Sequence, residues 1–189
     1  CNFGRRSSFI IQIIKDLLNE NENKQIMLLA HNRNLLKYIH DCLHDTISIG
    51  YYVGGMKEKD LKISEGKKVI IATYAMAEEG LDIKTLTTLI MATPKTDITQ
   101  SVGRILRVKH EKPIIIDMVD SHDVFQNQWQ KRKTFYRKCK YKIMQTDSTK
   151  YSGKNTNWKV LFDPISNTKA KEDEKPAKCL LDTSIFQYL

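Results

Sequence analysis

Five consecutive residues, Val69-Ile-Ile-Ala-Thr73, carry no charge, and four of them are β-branched. A half-exposed strand alternates polar with apolar positions, so a short unbroken run of this kind belongs to a strand covered on both faces. Strands covered on both faces occur in parallel sheets with helices packed above and below. Comparable mainly apolar runs recur at 25–30, 47–53, 89–93 and 112–117. Before the first of them Phe9, Ile10, Ile13, Ile14 and Leu17, and between the first two Leu35, Leu36, Ile39 and Leu43, repeat at helical spacing. The expected class is α/β, a mainly parallel sheet with helices on both faces.

Length and charge narrow this further. A chain of 189 residues buries one proper core and leaves room for a small appendage. Its 31 Lys and Arg against 22 Asp and Glu give a net charge of +9. That excess favours a polyanionic partner, nucleic acid before membrane, since no stretch is apolar enough to lie in a bilayer. Solvated lysines alone give the same balance. Cys1, Cys42, Cys139 and Cys179 form no Cys-x-x-Cys pair, so the reading is an intracellular protein with reduced thiols and no membrane partner. Because the chain starts with Cys rather than Met, it is expected to be a piece of something longer. His40 and His44 would share a helix face, but no third ligand stands at a fixed spacing, and no metal site is expected.

Chemistry concentrates in two segments. The first is the loop that follows the strongest strand, running from Thr73 through Ala75 to Gly80, with Asp82 beyond; ligand-binding residues of open α/β sheets collect at such carboxyl ends. The second is Asp97-Ile-Thr-Gln-Ser-Val-Gly-Arg-Ile-Leu-Arg107, whose Arg104 and Arg107 fall about a turn apart on one helix face and make a fork for phosphate. Ile98, Val102, Ile105 and Leu106 supply the buried side, and a solvated arginine pair is the plain alternative.

Taken together, buried strand, Gly80 and Asp82, second strand, then Gln-x-x-Gly-Arg-x-x-Arg, the chain resembles the C-terminal RecA-like lobe of superfamily 2 helicases, with the two segments similar to that family's motifs V and VI. The resemblance covers roughly residues 5 to 140. It implies a P-loop NTPase type fold and a lobe that closes on an N-terminal RecA-like lobe of the same protein. ATP and Mg2+ would lie in the cleft, held mainly by that other lobe, and nucleic acid would cross both. By the same resemblance Gly80 and Asp82 face the nucleotide, with Asp82 accepting from a ribose hydroxyl, and Gln100 contacts the nucleotide or the facing lobe. Arg107 is the arginine finger, and Arg104 contacts the phosphates or couples ATP to lobe closure. Thr73, Ala75, Gly54 and Gly55 meet the nucleic-acid backbone. Glu78 and Glu79 stand where the commonest DEAD-box version has an Arg before the Gly, and Gln100 replaces the His that opens motif VI in many RNA helicases. Those departures move the match toward the DExH-like DNA translocases and helicases and leave the choice of DNA or RNA open, with DNA the favoured partner; the Phe-Tyr-x-Lys-Cys-x-Tyr run beginning at Phe135 is similar to helicases of large DNA viruses.

A long helix is expected from residue 121 or 122 to about 140, docked by Phe125, Trp129, Tyr136 and Cys139, with Lys131 and Arg132 on a basic face that could track phosphates. Asp117 and Asp120 read as loop acids and a helix start, not as metal ligands. The division is a RecA-like domain at 1–143 and an irregular C-terminal extension at 144–189, with short strands near 141–144 and 158–162 and a linker at 163–178. No G-x-x-x-x-G-K-[ST] loop and no acidic box follow an apolar strand, so this chain alone is expected to hydrolyse ATP negligibly. A catalytically inert RecA-like module serving as a basic nucleic-acid or protein docking platform is the alternative, and an unrelated nucleotide-binding α/β domain is a third.

Overall fold

A computed structural model describes residues 4–79, 82–105, 113–165 and 180–181. Five short strands form one parallel sheet: β1 Ile26–Ala30, β2 Ile49–Tyr52, β3 Val69–Thr73, β4 Thr88–Met91 and β5 Ile114–Asp117, in the order β2-β3-β1-β4-β5. Register runs Ile26 beside Val69 and Thr88, and Thr88 beside Ile114. Because successive side chains point to opposite faces, β1 splits its apolar run between two cores. Met27 and Leu29 join one, and Ile26, Leu28 and Ala30 join the other.

The second of these cores is roofed by α1 (Gly4–Glu20) and α2 (Arg33–Leu43). Ile10, Ile13, Ile14 and Leu17 recur at three- and four-residue spacing and bury that face of α1; each side chain contributes about 1.5–3 kcal/mol of transfer free energy. Asn32 caps α2, its side chain accepting from the backbone N–H of Asn34 at 2.8 Å. The first core is covered by α4 (Tyr74–Glu79), α5 (Thr99–Ile105) and α6 (Asp123–Lys138), through Tyr74, Ala77, Ile98, Val102, Trp129 and Tyr136. The polar helix α3 (Glu58–Glu65) buries only Ser64 and lies beside the edge strand β2. There Gly50 is required by space: a Cβ on it would stand 2.8 Å from Ser64 Oγ and 3.0 Å from Lys67 Cγ.

The amino-terminal edge of the sheet is stitched by one buried side chain. Gln25 Nε2 donates to the carbonyls of Glu65 and Lys67, and its Oε1 accepts from Thr85 Oγ1 at 2.6 Å. A second, smaller sheet follows α6. Its strands are β6 (Lys142–Gln145), β7 (Lys159–Phe162) and β8 (Leu180–Leu181), in the order β7-β6-β8, with β6 and β7 antiparallel. Between β6 and β7 the chain returns to α1, where Tyr151 packs edge-on against Phe9 with ring centroids 5.3 Å apart. The expected division at residue 143 falls within β6.

Two expectations change. The segment after Thr73 is read as a loop from sequence, but the chain enters α4 at once; Tyr74 and Ala77, three apart, anchor that turn in the core. The expected strand at 47–53 shortens to 49–52, ending before Gly54 and Gly55. Most of the expected linker, with the segment beyond residue 181, lies outside the described residues. Among the described residues no helix is long and apolar enough to cross a membrane.

Candidate functional site

The carboxyl edge of the large sheet carries the candidate residues Gly54, Gly55, Thr73, Ala75 and Gln100, and one buried tyrosine ties it together. Tyr74, the first residue after β3, donates its hydroxyl to the Thr93 carbonyl beyond β4 at 2.6 Å. It thereby spans the end of β1, which lies between those strands. His31, just past β1, packs its ring 4.6 Å from the Tyr74 ring, and the His31 backbone N–H donates to Thr93 Oγ1. Burial pushes the Tyr74 hydroxyl well above the ordinary tyrosine range, so it remains a neutral donor.

This stitching brings the helices of the two motif segments side by side. Glu78 of α4 accepts from Lys95 Nζ and from Ser101 Oγ of α5, the latter at 3.0 Å. Lys95 Nζ also sits 5.0 Å from the Tyr74 ring centroid. Ser101 and Val102 face inward while Gln100 and Gly103 are exposed, so α5 turns its amide-bearing edge outward. Ahead of α5, Asp97 accepts from the Thr99 backbone N–H at 3.0 Å, and that bond holds its carboxyl below the usual range. Asp82 is exposed in the segment between α4 and β4. Arg104 belongs to the last turn of α5; its side chain, Gly80 and Arg107 lie outside the described residues.

The candidate nucleic-acid residues occupy the β2–β3 end of the same edge. Thr73 ends β3, Ala75 is exposed on the first turn of α4, and Gly54 and Gly55 follow β2. Arg33, at the start of α2, donates to the Gly54 carbonyl at 2.9 Å. A Cβ at Gly54 would lie 3.8 Å from Met76 Sδ of α4. Gly55 has φ +90°, the left-handed region where a side chain would be strained. The structure thus gathers Gly54, Thr73 and Ala75.

Arg132 is a correction. The basic run places it on a solvent-exposed track, but it is 1 % exposed. Its Nε and Nη2 donate to the two carboxylate oxygens of Asp117 at 2.7 and 2.9 Å, and Nη1 donates to the Lys95 carbonyl at 2.7 Å. Tyr136 adds its hydroxyl to Asp117 at 3.2 Å. Burial alone would lower the Arg132 pKa, but the adjacent Asp117 carboxylate reverses that, and the net shift is upward. Asp117 is therefore no loop acid but the end of β5 that fixes α6. The helical phase of Trp129, Arg132 and Tyr136, three and then four apart, is the sequence signal for this burial. Lys131, one residue earlier, is exposed.

The His40 and His44 pair is a stack: the His40 ring lies 4.4 Å from Tyr51 and 5.3 Å from His44. Among the described residues no three His, Cys, Asp or Glu side chains gather as a cation site. The exposed carboxylate of Asp82 and the exposed amide of Gln100 have the chemistry that a nucleotide's polar groups pair with; among the described residues no donor set fits its magnesium alone.

The comparisons agree with this architecture. Residues 10–109 match the family described as "Helicase conserved C-terminal domain". A protein of Acanthamoeba polyphaga mimivirus named "Putative ATP-dependent RNA helicase" is 43% identical over 152 residues, 75% of this chain and 28% of that protein. One of the same name from African swine fever virus (isolate Pig/Kenya/KEN-50/1950) is 24% identical over 160 residues, 78% of this chain and 31% of that protein. The chain thus spans less than a third of these relatives, which are proteins of large DNA viruses, as the resemblance implied. Their names speak of RNA, so the expected preference for DNA gains no support. Among solved structures, the Pyrococcus furiosus Hef helicase domain superposes with TM-score 0.52 at 25% identity, covering 67% of this chain and 28% of that one. The C-terminal part of the Fun30 ATPase domain gives 0.52 at 13%, covering 63% and 43%. With the match spanning more than half of its length, including the β1-to-α5 edge just described, this chain belongs to the helicase conserved C-terminal domain family.

Proposed function

We propose that this chain, a RecA-like lobe at 1–143 with an extension at 144–189, is the C-terminal lobe of a two-lobe, ATP-dependent helicase or translocase. The observation that carries the reading is the joining of α4 to α5 through Glu78 and Ser101, which sets the two motif segments against one another at one edge of the sheet. ATP, with Mg2+ held mainly by an N-terminal lobe, supplies the phosphoryl group transferred to water. Asp82 accepts from a ribose hydroxyl, and Gln100 and Gly80 line the same cleft. Arg104 binds phosphate and couples it to lobe closure. Arg107 stabilises the charge that develops on the transferring group, as a guanidinium can without changing protonation.

Nucleic acid runs over Gly54, Gly55, Thr73 and Ala75, whose small side chains and exposed backbone suit phosphate contact rather than base reading. Closure and release of the lobes then shift the grip on the strand. Because Arg33 of α2 and Met76 of α4 both abut Gly54, movement at that contact reaches the helix joined to α5.

The test is steady-state ATP hydrolysis by the complete protein, wild type against Arg107→Ala, with single-stranded DNA, duplex DNA and RNA. The expected result is stimulation by one polymer and loss of turnover on the order of a thousandfold in the variant, with ATP binding retained. Equal turnover of the two proteins would remove the finger role, and turnover by neither would favour an inert docking platform.

A further inference from the structure

The net charge of this chain is not spread over it. Ten of the 31 basic residues and one of the 22 acidic residues fall between 129 and 162, leaving 21 of each sign elsewhere. The whole +9 therefore belongs to the second half of α6 and the β6–β7 region, beyond the family match that ends at residue 109.

Side-chain pairing separates the cations already committed. Arg132 is consumed by Asp117, Lys142 lies 3.0 Å from Asp163, and Lys150 lies 3.3 Å from Asp147. Arg137 stands 5.5 Å above the Phe162 ring, fastening α6 to β7. Lys131, Lys138, Lys140 and Lys159 are exposed and have no acidic partner among the described residues. Lys131 and Lys138 are seven residues apart on the face opposite Trp129, Arg132 and Tyr136. Two helical turns separate them by about 10.5 Å, close to three 3.4 Å steps of a nucleic-acid strand. Thr134, also exposed, lies between them. From Lys131 to Lys140 no large apolar side chain is exposed. Protein-binding patches have apolar centres and are poor in lysine, so the α6 face has the opposite character, while β7 exposes Val160 beside Lys159.

From this arrangement we infer that the outer face of α6, with Lys140 and β7, is a second nucleic-acid binding surface, one that holds the phosphodiester backbone without reading sequence. It is separate from the Gly54, Thr73 and Ala75 edge and needs no nucleotide. It would hold the strand outside the cleft while the lobes open. The inference rests on the proposed function only for the presence of nucleic acid.

The experiment is fluorescence anisotropy of the 189-residue chain, without ATP, against labelled 20-nucleotide single-stranded RNA and DNA and a 20-base-pair duplex, from 50 to 200 mM salt. The variant is Lys131→Gln/Lys138→Gln/Lys140→Gln, with circular dichroism melting as the check of fold. Wild type should bind with steep salt dependence. The variant should bind on the order of tenfold more weakly at 50 mM, with unchanged melting and a slope of log K against log salt reduced by about 2, at about 0.7 per contact for single strands. Equal affinity and slope in both proteins would overturn the surface. So would binding of poly-glutamate with none of the nucleic acids, which would assign it to an acidic protein. ATP turnover plays no part in this readout, so loss of the Arg107 role would leave it standing, and its own failure would leave that role intact.

Discussion

Lys131 and Arg132 are neighbours in one basic run, yet α6 sends them to opposite environments. Lys131 faces solvent among other cations, whereas Arg132 is 1 % exposed and grips both oxygens of Asp117. One residue of helical rotation, about 100°, separates a charge available to a partner from one that holds the fold together. A charge run therefore has no single meaning. What assigns each member is its phase relative to the apolar stripe and the presence of an opposite charge at the end of a neighbouring strand.

The largest effect should come from breaking the buried pair. Arg132→Ala leaves Asp117 charged, buried and short of its two strongest donors, and should cost about 3–5 kcal/mol in urea unfolding. A loss below about 1 kcal/mol would mean that the pair is wet and the contrast between the two neighbours is smaller than described. Tyr136→Phe is the intermediate case. Removing its hydrogen bond to Asp117 should cost about 1 kcal/mol at neutral pH. Burial raises the Tyr136 pKa well above 10.0, so the unfolded chain releases this proton first. Its stabilisation is complete below pH 10 and falls as pH rises further, by about 1.4 kcal/mol per unit. The gap between variant and wild type should close on the alkaline side; a gap that widened would contradict the assignment. The smallest effect belongs to the exposed side. Lys131→Gln and Lys138→Gln should each leave unfolding free energy within about 0.5 kcal/mol of wild type, while weakening polyanion binding.

What could be read from sequence follows the same division. The doubly covered strands were legible because five continuous apolar runs admit few other packings, and the apolar spacing of α1 and α2 located both helices. The small strands near 142–145 and 159–162 were also visible as apolar islands in a polar stretch. The helical start after Thr73 was not, since six residues carry too few turns to show a period. Neither was the Glu78, Lys95 and Ser101 cluster, because its members are 23 positions apart at the widest and meet only after β1 and β4 are paired. Gly54 and Gly55 marked a turn, but only the fold sets Gly54 beside Arg33 and Met76. Arg132 was misassigned through its neighbours' charge, although its spacing from Trp129 and Tyr136 already placed it on the buried stripe.

The central claim, that this lobe completes an ATP site it cannot build alone, is tested most directly by comparing ATP turnover of the 189-residue chain with that of the complete protein, both freed of contaminating enzyme and both given nucleic acid. The complete protein should turn over ATP, and the chain should show none above background. Rapid hydrolysis by the chain alone would contradict it.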